Sequence, residues 1–169
     1  MPETAKGQGA AEGQYVTFGL GDEVFAAPVG LVREILTYQA PSRIPNGPAY
    51  LLGLTDVRGR GVPTADLRIR LGMTAVQPTL NTRILVLDIP VEDRVLSLGL
   101  VADRVFEVAV FTADQIEPSP DIGMKWRSDY ISGVVRREDG FVVLIDLARL
   151  LSTTDAASLA SLSDVERAA

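Results

Sequence analysis

The chain has 169 residues, of which 47% are hydrophobic and only 6% aromatic; its net charge is −6, and it contains neither histidine nor cysteine. That length suits one ordinary domain, or two small, closely packed ones with an aliphatic core. The acidic balance argues against nonspecific binding to nucleic acid or an anionic membrane, no apolar run approaches a membrane span, and the missing residue types remove disulfides, thiolate or imidazole metal sites and histidine-based catalysis.

Residues 1–13, "MPETAKGQGAAEG", lack the regions of a signal peptide and read as a disordered leader of a soluble, cytoplasmic protein. Two β-rich runs at 15–20 and 24–29 flank Gly21-Asp22-Glu23, the pattern of a hairpin. "GLVREIL" (30–36) reads as a turn entering a strand, and "APSRIPNGP" (40–48) as a loop. "AYLLG" allows one helical turn before a strand near 54–58; an Arg58-Gly59-Arg60-Gly61 turn and a strand near 61–64 follow. "ADLRIRLG" (65–72) has the pattern of a short helix ended by Gly72. The polar stretch 74–81 is predicted to link two halves of the chain. Strands are then expected at 82–89, 94–101 and 104–111, and a proline-rich loop at 116–123. A last hairpin turning at 138–140 and a helix from 145 precede a tail, 153–169, read as frayed helix or disorder.

An internal repeat underlies this order. At one fixed offset Gly53 corresponds to Gly133, Val62 to Val142, and Asp66-Leu67 to Asp146-Leu147. At a second, slightly shorter offset Val32 corresponds to Val105 and Ile35 to Val108. Two similar β units of about five short strands each, closing their own edges, account for both.

Candidate chemistry is sparse. The two lysines, Lys6 and Lys125, lie outside any phosphate-loop pattern, and no calcium-loop spacing of acidic residues occurs. Asp66 and Asp146 each follow a hydrophobic strand and precede a leucine, the placement of a helix cap, whose loss costs about 0.5–2 kcal/mol. A catalytic carboxylate pair is the competing reading, and the missing histidine and cysteine weigh against it. Gly53, Gly59 and Gly133 read as turn positions. Arg58, at a glycine-flanked tip, is most simply solvated, but Glu34 in an otherwise apolar segment offers it a partner. Val32, Ile35 and Leu54 suit either the core or the lining of a groove able to take an amphipathic helix.

Six stretches carry a family resemblance: "QYVTFGLGDEVFAAPV", "VREIL", "GPAYLLGLTDVRGRGVPTADLR", "GLVADRVFEV", "FTADQIEPSP" and "YISGVVRREDGFVVLIDLARLL". In order and spacing the chain resembles the CheW family of bacterial chemotaxis over residues 14–152. The resemblance implies an all-β fold of two five-stranded SH3-like barrel subdomains. It also implies a non-catalytic adaptor with no metal or cofactor, which couples the regulatory domain of the histidine kinase CheA to the cytoplasmic tips of chemoreceptors. Such an adaptor is recruited to membrane receptor arrays by its partners, with no insertion of its own and no nucleic acid. Val32, Glu34 and Arg58 fall on the receptor-facing surface, with a Glu34–Arg58 salt bridge. A coupling protein for surface motility or development, rather than swimming, is the alternative. Two departures stand out: Asp56, where the family often has asparagine, and extra residues at 89–93, expected as a solvent-exposed turn.

Overall fold

A computed structural model describes residues 12–118 and 131–150, apart from Asn46, Glu92, Asp139 and the side chain of Leu150. The predicted leader, except for residues 12 and 13, and the predicted tail lie outside the described residues. Among the described residues, eleven strands and two short α-helices follow in the order β1 Gly13–Leu20, β2 Glu23–Pro28, β3 Val32–Thr37, β4 Leu51–Val57, β5 Arg60–Ala65, α1 Leu67–Arg70, β6 Arg83–Val91, β7 Arg94–Ala102, β8 Arg104–Phe111, β9 Ile116–Glu117, β10 Ile131–Arg137, β11 Gly140–Ile145 and α2 Leu147–Leu150, with single 3-10 turns at Val29–Leu31 and Ala113–Gln115. Several local expectations shift. Gly13, assigned to the leader, opens β1, and the helical turn expected at "AYLLG" gives way to β4, which starts at Leu51. The predicted loop from 116 begins with the short strand β9.

The strands form two sheets, ordered β8-β1-β2-β11-β10-β9 and β3-β6-β7-β5-β4. Each curls into an SH3-like barrel. Val57, Val62, Ile84, Val86 and Val101 fill the five-stranded barrel, and Tyr15, Ala26, Phe111, Val135, Val142 and Leu144 fill the six-stranded one. A larger core lies between them, joining Phe18, Phe25, Val143 and Ile145 of one sheet to Leu85, Leu87, Ile89 and Leu98 of the other. This explains why "ILVLDI" is almost continuously apolar. Along β6 alternate residues point into the barrel (Ile84, Val86) and into the core between barrels (Leu85, Leu87, Ile89), so both faces are buried.

The partition at 74–81 does not hold. That segment joins α1 to β6, and β6 pairs with β3 in the same sheet. The second barrel instead combines the N-terminal β1–β2 hairpin with β8–β11, through parallel pairing of Val24 with Val142 and Ala26 with Leu144. The two barrels are nonetheless built alike. Gly53 and Gly133 both lie at register shifts, after Leu51↔Ala65 and Ile131↔Ile145. The parallel pair β5–β7 (Thr64↔Gly99) corresponds to β11–β2 (Leu144↔Ala26), and β3–β6 corresponds to β8–β1. The repeat is therefore circularly permuted: the hairpin that ends one barrel stands at the start of the chain in the other.

The residues at 89–93 also depart from expectation. Ile89 and Val91 extend β6, pair with Leu96 and Arg94, and are buried in the core between barrels. A longer strand, not a solvated turn, accommodates most of the extra residues, because the central core offers apolar surface for them to cover.

Candidate functional site

The β4–β5 hairpin turns in two residues, since Val57 pairs directly with Arg60. Arg58 and Gly59 both have positive φ, 55° and 84°, the signature of the type I′ turn that matches strand twist. Arg60, expected in the turn, belongs to β5. Asp56 accepts a hydrogen bond from the Gly59 N–H at 3.0 Å, so its carboxylate braces the turn.

From this tip Arg58 reaches across the barrel opening to Glu34 on β3, the opposite edge strand. Its Nε and Nη2 donate to the two carboxylate oxygens at 3.2 and 3.3 Å. The pair is asymmetric: the Arg58 side chain is 79% exposed, that of Glu34 19%. The hydrogen bond and charge of Glu34 hold the guanidinium above its ordinary pKa. Val32 lies on the same strand, half buried against the core between barrels, and Ile35 is exposed. Their register partners Leu87 and Leu85 belong to that core, whereas Glu34 pairs with Val86 of the barrel interior. Glu34 and Arg58 thus close the seam, and Val32 and Ile35 border the face turned toward the other barrel. Leu54 stands apart on β4, where its backbone exchanges two 2.8 Å hydrogen bonds with Ser42.

The seam recurs in the other barrel. Glu107 on β8 occupies the place of Glu34, and Arg137 from the β10–β11 hairpin reaches it at 3.1 Å. The sequence carried a signal for this pair, since Glu107 follows Glu34 at the same offset that relates Val32 to Val105.

Asp66 caps α1 by accepting from the Arg68 N–H at 3.0 Å, and Asp146 accepts from the Arg149 N–H at 3.1 Å. The two are not equivalent in setting. Asp66 is buried and also takes Arg68 Nε at 3.0 Å, whereas the Asp146 side chain is 30% exposed and its contact to Arg149 Nε is 3.8 Å. Asp66→Ala should therefore cost more than a cap alone, about 3 kcal/mol or more, since it strips a buried arginine of a partner. Asp146→Ala should stay within about 0.5–2 kcal/mol. Urea denaturation of both variants checks the order; equal losses would make capping their only shared contribution.

The described residues form two fused, mainly β barrels, with ion pairs at the barrel seams and aspartate caps on the two short α-helices. Residues 14–155 match the model of the CheW-like domain. The chain is 33% identical over 144 residues to "Chemotaxis protein CheW" of Klebsiella aerogenes, covering 85% of this chain and 84% of that protein. It is 30% identical to "Probable chemotaxis protein CheW" of Rhizobium etli, covering 92% and 97%. A crystal structure titled "scaffolding protein TtCheW from Thermoanaerobacter tengcongensis" shares the fold, with a TM-score of 0.74 at 22% identity over 92% of this chain and 96% of that one. The chain belongs to the CheW family, the scaffold proteins of chemotaxis. No helix among the described residues is long and apolar enough to cross a membrane.

Proposed function

We propose that this chain is a non-catalytic cytoplasmic adaptor that couples the cytoplasmic tips of chemoreceptors to the histidine kinase CheA, with the Glu34–Arg58 seam, flanked by Val32 and Ile35, as its receptor-facing surface. One observation carries the reading of the site. Arg58 is the only non-glycine residue with positive φ among those described, and it is held there with its side chain largely exposed. Glycine or asparagine would fit that turn position better, so the guanidinium is retained against local preference. Such outliers gather where a side chain is used. The exposed ion pair adds little to folding, but at an interface the same group is desolvated and arginine often dominates binding.

Arg58→Ala should leave the urea midpoint unchanged and weaken binding to a receptor cytoplasmic fragment on the order of tenfold. Arg58→Asn should raise the melting temperature while weakening binding to a similar degree. Adding Glu34→Ala to Arg58→Ala should cost less than the two single losses together. Titration calorimetry with the fragment decides it: undiminished affinity of Arg58→Ala would leave the tip a structural turn. Recovery of the kinase with the wild-type chain from native cytoplasm tests the second partner.

A further inference from the structure

The two barrels close the same corner differently. In the five-stranded barrel Arg33 is the extra residue of a bulge in β3, between Val32↔Leu87 and Glu34↔Val86. Bulges re-aim side chains. Arg33 is turned onto Asp88, with Nε at 3.1 Å and Nη2 at 2.8 and 2.9 Å, and onto Ser97 at 3.4 Å, placing a guanidinium over that barrel mouth. In the six-stranded barrel β8 is irregular at the same point, between Val105↔Phe18 and Val108↔Val16. There Phe106 replaces Arg33, Gly19 replaces Asp88, and Val24 replaces Ser97. A Cβ on Gly19 would lie 3.3 Å from the Phe106 ring, so the glycine lets the ring settle against the strand.

The result is an open cleft of about 930 Å³ between β8 and the β10–β11 hairpin. Phe106 and Phe141 line it, each 49% exposed. Asp22, Glu23, Glu107 and Glu138 line it as well, and Arg137 is the one cationic lining residue among the described residues. Arg137 is paired with Glu107, and Asp22, Glu23 and Glu138 form no ion pair among the described residues. The rings already attract guanidinium groups from outside the cleft, Arg104 at 6.0 Å from Phe106 and Arg136 at 5.0 Å from Phe141.

We infer that this cleft is a second docking site, one that receives an exposed arginine side chain from a partner protein. Aromatic faces bordered by unpaired carboxylates favour a cation, and the planar guanidinium both stacks on a ring and bonds a carboxylate in a way ammonium does not. The arginine that seats itself in one barrel mouth has no internal counterpart in the other, and the partner supplies it. The site is separate from the Glu34–Arg58 seam and stands whether or not that surface meets receptors.

The test is an NMR titration of the isotope-labelled full chain with the pentapeptide acetyl-Gly-Ser-Arg-Ser-Gly-amide, and with the same peptide carrying lysine or citrulline. The arginine peptide should shift the amides of Phe106, Gly140 and Phe141 saturably, lysine should bind several-fold more weakly, and citrulline should leave the spectrum unchanged. Phe141→Ala and, independently, Glu138→Gln should each reduce arginine-peptide affinity at least about threefold, with the remaining spectrum of each variant confirming its fold. Equal binding of citrulline, no saturable shifts at the cleft, or shifts spread equally over remote acids such as Asp114 and Glu117 would overturn the proposal.

Discussion

Replacing Arg68 with alanine is expected to lower unfolding free energy by about 3–5 kcal/mol, the cost of removing one member of a buried ion network. Arg68 is 3% exposed and lies between two carboxylates. Its Nε donates to Asp66, the cap of α1, and its Nη1 to Asp103, between β7 and β8. Asp103 in turn accepts from the Gly21 N–H at 2.6 Å, and its own N–H donates to the Gly19 carbonyl at 2.8 Å. One guanidinium therefore ties the five-stranded barrel to the β1–β2 turn of the other. Burial alone would depress its pKa, but hydrogen bonds and charge from Asp66 and Asp103 outweigh this and hold it above the ordinary value. Alanine leaves the two acids facing each other without a cation. The Asp103 side chain is 20% exposed, which places the loss toward the lower end of that range. Arg68→Lys should fall between wild type and alanine, because ammonium cannot make the same forked contacts. Arg68→Met combined with Asp66→Asn and Asp103→Asn should recover part of the loss. Denaturant unfolding measures all three; a loss below about 1 kcal/mol for Arg68→Ala would mean that water satisfies the acids.

Gly53→Ala is expected to be nearly as damaging, at about 3 kcal/mol or more, and its counterpart Gly133→Ala clearly milder. A Cβ at Gly53 would lie 2.0 Å from the Ser42 carbonyl oxygen and 2.6 Å from its carbon, both rigid backbone. Relief requires breaking the two hydrogen bonds that join Ser42 to Leu54. The φ of +149° adds strain for any residue with a Cβ. At Gly133 the nearest atom is Ile116 Cγ2 at 2.8 Å, the end of a side chain that can rotate away, although the Glu117 carbonyl at 3.0 Å still crowds the site. About 1–2 kcal/mol is expected there. Melting curves give the order directly; equal losses would show that the backbone at Ser42 yields as easily as a side chain.

Much of this was open to reading in one dimension. The runs around 15–20, 82–89 and 140–145 are apolar enough to be strands whatever their neighbours, and Gly-to-Asp-Leu spacing exposed two copies of one hairpin-and-cap unit. Asp66 and Asp146 carry capping chemistry in their local context, since a cap is satisfied within two or three residues. The Glu34–Arg58 pair was expected from an acid in an apolar segment and from the family resemblance.

Partnership between distant strands was decided only by the tertiary structure. Hairpins β1–β2 and β6–β7 have similar local patterns, and nothing within either says which barrel it completes. That choice depends on which apolar faces the folded sheets leave uncovered, and the pairing of Ala26 with Leu144 spans nearly the whole described chain. For the same reason the residues at 89–91 looked like a turn until the core between barrels supplied a surface to bury them. Arg68 shows the limit most clearly. Its partner Asp66 is two residues away and legible, but Asp103 is brought in by the parallel pairing of β7 with β5, the strand before α1, and only that approach turns a surface-type arginine into a buried clamp between the two barrels.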